Sequence, residues 1–307
     1  MMLFVKKTVK RVLFRIWGDC AAHVLVLILL ACIAGNGWAD TVVDSSCPAG
    51  DLSALEYLKL DADEKKEKIE AYRQAYRPAM DPVVHRLQKL FAGKPVKIQF
   101  RLKTVESIQE KLIRKGYRCL SQMTDIAGVR VLILDYAAIP FVSHIVEGHF
   151  SVREEENLID DPRGSGYRAI HYLLSARGRI VELQIHTVRG NIWALMSYFL
   201  VYKGTYRSNE VVGSYFKKLS RVLFLLDSGF GHQELPLPTN LPSMAQREIK
   251  GGLMLIQAYD NEGTCPDMAA TLRRARKSSL AAGKADYYGL DEFNLSYGRT
   301  RMGGATP

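Results

Sequence analysis

Between residues 51 and 92 the apolar positions fall at helical spacing. Leu52, Leu55 and Leu58, and later Val83, Val84, Leu87 and Leu90, predict helices around a charged run at 61–70. Pro78 and Pro82 divide this stretch into two or three pieces. The period then changes. Over 96–103, Val96, Ile98, Phe100 and Leu102 alternate with Lys97, Gln99, Arg101 and Lys103, as expected of a half-buried strand. A short amphipathic helix follows at 107–117, and 129–134 is a continuous apolar strand suited to the centre of a sheet. The pattern continues with a helix at 139–150, a weaker strand at 151–158 and a turn-rich loop at 160–166. Residues 167–175 form a strand, Arg179–Thr187 its hairpin partner, and 192–200 a helix. A further helix is predicted at 214–230. Pro236, Pro238 and Pro242 mark a break, beyond which 244–259 and 267–277 form a helical extension. This order describes a mixed sheet of about five strands covered by helices, in the α/β or α+β class.

Composition narrows the field. With 307 residues, 48% apolar and 24% charged, the chain has ample material for a core, which excludes a disordered or collagen-like class. The formal charge of +10 favours anionic partners without naming one. Part of it lies in the first 39 residues, where Lys6, Lys7, Lys10, Arg11 and Arg15 precede an apolar run at 21–35 and the small-residue pattern Gly37-Trp38-Ala39. That is the three-part layout of a signal peptide, with cleavage expected after Ala39. The run is short for a spanning helix, which disfavours a retained anchor. Five of the 42 basic and one of the 32 acidic residues fall in 1–39, which leaves 37 against 31, a net of +6. The expected layout is a signal peptide at 1–39, a domain at 50–232, a helical extension at 233–288 and a mobile tail at 289–307. The five cysteines show no CxxC spacing, which argues against a disulfide scaffold and a zinc ribbon. Three remain after cleavage, so at least one is unpaired or paired between chains.

Three constellations carry candidate chemistry. Arg101 and Lys103 share one strand face, with Ser107 placed to open the next helix as its N-cap, together a cradle for polyphosphate. The plain alternative is a solvated strand face. Asp125-x-x-Gly128-x-Arg130 puts a carboxylate at a strand mouth, which suits Mg²⁺, and a lone charge in an apolar strand. Here the alternative is a structural Asp125–Arg130 ion pair. In the hairpin, Glu182, Gln184 and His186 line one side, and Tyr167 and His171 share a face by the same parity. Glu182 suits a metal ligand or general base, His171 a phosphate contact, and Tyr167 a stacking platform. Taken singly, Tyr167 reads more simply as a sheet aromatic and His186 as a surface imidazole; it is their convergence with the other motifs that points to a site.

Together these segments resemble the synthetase domain of the RelA/SpoT homologue family, pyrophosphokinases that make guanosine tetra- and pentaphosphate. The matching text is Arg101-Leu-Lys103-Thr-Val-Glu-Ser107-Ile, Thr124-Asp125-Ile-Ala-Gly128-Val-Arg130, Gly166-Tyr167-Arg168-Ala-Ile-His171 and Val181-Glu182-Leu-Gln184-Ile-His186-Thr187, with Trp193-Ala194 and Tyr202-Lys203 downstream. The resemblance spans about 55–230. It implies a nucleotidyltransferase-like fold and transfer of the β,γ-pyrophosphate of ATP to a ribose 3′-hydroxyl. Arg101, Lys103, Ser107 and Arg130 would bind ATP, and Asp125 and Glu182 would bind Mg²⁺, with Glu182 as base. Tyr167, His171, Gln184 and Arg163 would hold the acceptor, GDP or GTP first. Adenosine nucleotides, the 3′ end of tRNA and a catalytically degenerate binding module are the alternatives. It also implies a homo-oligomer. From the signal peptide, no stable membrane partner is expected once the signal is removed. His186 departs from the family pattern, which has Arg there, and so alters one phosphate or base contact. A signal peptide on an ATP-dependent enzyme leads to the expectation of an exported toxin or effector acting inside another cell.

Overall fold

The computed structural model describes residues 47–48, 51–162, 164–231 and 234–262. The expected signal peptide, Arg163, the 267–277 helix and the 289–307 tail lie outside the described residues. Three helices come first, α1 (Ala54–Lys59), α2 (Ala62–Gln74) and α3 (Arg77–Leu90). Asp61 opens α2 with a capping box, its carboxylate accepting from the Asp63 and Glu64 amides. Then follow β1 (Lys97–Leu102), α4 (Val105–Lys115), β2 (Ala127–Ile133), α5 (Ile139–His149), β3 (Val152–Asn157), β4 (Ile170–Ala176) and β5 (Arg179–Thr187). The last described helices are α6 (Val188–Ser197), α7 (Glu210–Asp227) and α8 (Ser243–Glu262).

The five strands form one mixed sheet in the order β1-β2-β5-β4-β3. Only β2 and β5 run parallel; the other neighbours are antiparallel. The apolar strand expected at the sheet centre is therefore interior, with β5 in the middle place. Period two gives the sheet two unlike faces. Val129, Val131, Leu183, Ile185, Ile170 and Tyr172 point into the main core, where Met80, Val83, Val84 and Leu87 of α3 pack against them. Each such side chain contributes roughly 1.5–3 kcal/mol on burial.

The opposite face is polar along its rows. Register aligns Arg101 with Gly128 and Gly128 with Glu182, and next to them Gln99, Arg130, Gln184 and His171. A second core closes the end of this face, where Leu132 meets Ile192, Trp193, Phe216, Leu219, Ala245 and Ile249. Helices α7 and α8 thus both pack on α6. Cys47 and Cys119 form a disulfide across 72 residues, a pairing that the cysteine spacing did not reveal.

Candidate active site

The polar rows floor a cleft of about 420 Å³. Its wall includes Arg101, Asp125, Arg130, Tyr167, His171, Glu182 and Gln184, and on the far side Trp193, Tyr198, Phe199 and Tyr202. Thus seven of the residues singled out from the sequence meet in one place. Lys103 and Ser107 are not on that lining, and Arg163 lies outside the described residues.

Asp125 precedes β2 and is paired with two lysines. Its Oδ2 accepts from Lys103 Nζ at 2.8 Å and pairs with Lys111 Nζ at 2.9 Å. Burial alone would raise its pKa, but the two ammonium groups outweigh it and hold the carboxyl at about 2. Its other oxygen, Oδ1, is buried with no protein partner. Burial lowers the pKa of Lys103, opposed by Asp125. Lys103 therefore acts on the cleft through Asp125. Lys111 was not singled out in the sequence, although it lies one helical turn beyond Ser107 on α4, the spacing that could have found it.

Ser107 corrects an expectation. The N-cap of α4 is Thr104, whose hydroxyl accepts from the Ser107 amide at 3.1 Å. β1 ends at Leu102, so the extended residue at the turn is Thr104, and Ser107 is already in the first helical turn.

Arg130 does not depend on an Asp125 ion pair for its place. Its guanidinium donates to Gln184 Oε1 at 2.8 and 3.2 Å and to Asn191 Oδ1 at 2.5 Å. Burial draws its pKa down to about 10, which leaves it cationic at neutral pH. Gln184 passes the constraint on, donating to Glu182 Oε2 at 2.7 Å. Asn191, fully buried on α6, is an anchor that sequence reasoning missed, since a lone Asn in a helical pattern carries no signal.

Tyr167 sits three residues before β4 rather than on it, yet its hydroxyl reaches His171 Nε2 at 2.8 Å. It also lies 3.1 Å from His186 Nε2. His186 is 2% exposed, so the surface-imidazole reading is overturned: it faces Tyr167 from inside the sheet. Gly166 makes this bend. Its φ is +89°, and an added Cβ would lie 3.1 Å from Ser220 Cβ on α7, so the position needs glycine. Gly128 is different: an added Cβ would meet Arg101 Cγ at 3.9 Å, ordinary contact. Glycine there keeps the floor low between Arg101 and Glu182.

The far wall is also local in origin. Thr187 ends β5 and caps α6, accepting from the Gly190 amide at 2.9 Å. After Ser197 the helix widens into a π-helical turn, Tyr198–Tyr202, which presents Tyr198, Phe199 and Tyr202 to the cleft. The sequence pattern reads the first three residues of this turn, up to Leu200, as the end of an α-helix. Lys203, just beyond it, pairs with Glu110 and so ties this turn to α4.

The chain is similar to known proteins over this region. The family described as the region found in RelA / SpoT proteins matches residues 100–207. A GTP pyrophosphokinase of Bacillus subtilis, YjbM, is 30% identical over 139 residues, which cover 41% of this chain and 66% of that protein. An uncharacterized protein of Mycobacterium tuberculosis, Rv1366, is 33% identical over 99 residues, or 31% of this chain and 35% of its own length. The chain thus spans about two thirds of one curated relative and about a third of the other. Among solved structures, the small alarmone synthetase 1 of Bacillus subtilis bound to its product pppGpp aligns with a TM-score of 0.48 and 27% identity. That alignment covers 53% of this chain and 94% of that one. A GTP pyrophosphokinase family protein from Streptococcus pneumoniae aligns with a TM-score of 0.46 and 25% identity, covering 55% and 92%. The sheet and the cleft above it lie in a small domain of the RelA/SpoT type.

Proposed function

We propose that this cleft transfers the β,γ-pyrophosphate of ATP to the 3′-hydroxyl of a nucleotide. The observation that carries the reading is the meeting of Asp125, Glu182, Arg101, Arg130 and Tyr167 in one cleft, with Tyr198, Phe199 and Tyr202 across from them. Such transfer depends on positioning and charge neutralisation more than on covalent catalysis, and these residues supply both. Arg101 and Arg130 meet the phosphates. Glu182 accepts the proton of the 3′-hydroxyl, whose oxygen then bonds to the β-phosphorus while the bond from that phosphorus to the α-bridging oxygen breaks and AMP leaves. Gln184 holds one oxygen of Glu182, so the carboxylate is already oriented.

Mg²⁺ fits the residues present. Asp125 is ionised, and its Oδ1 is a buried oxygen with no protein partner on the same cleft as Glu182. Asp125 and Glu182 would hold the ion, which when bound neutralises polyphosphate charge. The likeness to a GTP pyrophosphokinase favours GDP or GTP as acceptor. The test is mature protein with Mg²⁺ and labelled ATP, offered GDP, GTP, ADP, ATP or tRNA in turn. Pyrophosphate transfer to a guanosine nucleotide, abolished in Glu182→Gln, is the expected result. Transfer to adenosine nucleotides or tRNA would replace the acceptor; nucleotide binding without turnover would replace the enzyme with a binding module.

We also propose that the protein is exported and acts as a toxin or effector in another cell. The signal-like pattern of residues 6–39 supports this, and so does the Cys47–Cys119 disulfide, a bond at home in oxidising compartments. Fractionation and thiol labelling test it. A chain beginning at Asp40 with Cys47 and Cys119 unreactive is expected; an uncleaved, thiol-reactive protein confined to the producing cell's cytosol would refute it.

A further inference from the structure

At one end of the cleft a phenol stands between two imidazoles. The Tyr167 ring meets His171 and His186 nearly edge-on, at interplanar angles of 77° and 72°. Its hydroxyl is within hydrogen-bond distance of both Nε2 atoms. A phenol has one proton, so where it donates to one ring it accepts from the other. His171 decides the direction. Its Nδ1 lies 3.6 Å from Glu182 Oε1, and a carboxylate there favours a hydrogen on Nδ1, which leaves Nε2 as an acceptor. Tyr167 therefore donates to His171, and His186 supplies the Nε2–H that Tyr167 accepts. An independent atom agrees. His186 Nδ1 is buried without a partner, and a bare lone pair is a cheaper orphan there than an N–H. The surroundings point the same way. Burial, with the Arg130 guanidinium nearby, holds the His186 imidazole neutral.

We infer that His186 is a positioning residue. It anchors a one-way chain, from His186 Nε2–H to the Tyr167 hydroxyl to His171 Nε2, that fixes the Tyr167 ring and sets the tautomer of the imidazole facing Glu182. Only the kinetic consequence of this chain rests on the proposed reaction; the tautomers do not.

Imidazole ¹⁵N NMR at neutral pH, with signals assigned from single variants, reads the chain directly. His186 is expected as the Nε2–H tautomer and His171 as the Nδ1–H tautomer, with both signals shifting in Tyr167→Phe. A His186 proton on Nδ1 overturns the inference. Kinetics give the second arm. His186→Phe should raise the acceptor KM about 5- to 10-fold with the ATP KM unchanged, the loss expected for one hydrogen bond. His186→Gln, which keeps a donor, should recover part of it, and His186→Phe should add nothing in a Tyr167→Phe background. Additive effects, or equal damage to both substrates, refute the positioning role. If the wild type transfers no pyrophosphate to any acceptor, the proposed reaction fails while the NMR arm still decides the chain.

Discussion

Replacing Asp125 with asparagine keeps the shape of the cleft floor and removes the charge that two lysines share. Folding moves this carboxyl from an ordinary 3.8 to about 2: burial works against the shift, and Lys103 and Lys111 overcome it. Each tenfold change in acidity is worth about 1.4 kcal/mol, so the ionised group contributes about 2 kcal/mol to stability at neutral pH. The sign follows from the direction. A depressed native pKa gives stability that is present above 3.8 and lost as pH falls towards 2. Asp125→Asn should therefore cost about 2 kcal/mol at pH 7, and the gap between variant and wild type should close at the acid end of this window. Urea unfolding at pH 7, 4 and 2.5, with chelator present and the disulfide intact, measures it. Taking the difference between the two proteins cancels every other titrating group. A gap of equal size at pH 7 and 2.5 would show that the loss comes from packing, and the paired-lysine account of this carboxylate would fall.

Asp227 should behave in the opposite sense. Burial raises its native pKa to about 6 although Arg189 pairs with it at 2.6 Å, so its charge costs stability above pH 6 and the cost is relieved as pH falls through that value. Thermal melts at pH 7 and 5 should show about 1 kcal/mol of acid stabilisation in the wild type that Asp227→Asn lacks. On α8, a Cβ at Gly252 would run into the buried Met196 side chain, so Gly252→Ala should cost about 1–3 kcal/mol, partly recovered by Met196→Ala. Cys47→Ser opens a 72-residue loop and should lower stability by about 4 kcal/mol, read as a shift in urea midpoint that reductant reproduces in the wild type and not in the variant.

The features legible in the sequence are those written in the backbone period. Within β5, Val181–His186 alternates without a break, so Glu182, Gln184 and His186 could be placed on one face from parity alone, and the register confirms it. Side-chain parity says nothing of what closes over that face, which is why His186 looked exposed and proved buried. Tyr167 was placed on a strand that starts at Ile170; the bend at Gly166, fixed by Ser220 of α7, depends on a contact 54 residues away. The Tyr198–Tyr202 turn escaped because its apolar spacing still fits an α-helix to within one residue. Thr104 and Ser107 are both able caps, and only the end of β1 chooses between them.

Four short motifs, each weak alone, make one cleft because of how β2 and β5 pair. Their parallel register sets Gly128 beside Glu182 and Arg130 beside Gln184, and the antiparallel pairings on either side add Arg101 and His171. A slip of one residue in β5 would send Glu182, Gln184 and His186 into the main core and turn Leu183 and Ile185 to the cleft. The core forbids that slip, since Leu183 and Ile185 are almost fully buried against α3's side of the sheet. The helix that follows then locks it. Thr187 caps α6 as the strand ends, and Asn191, one turn along, reaches back to Arg130 on the neighbouring strand. Hydrophobic burial on one face thus fixes the order of charges on the other. The spacing between Glu182 and Asn191 is consequently as strict a requirement of the cleft as the identity of either residue.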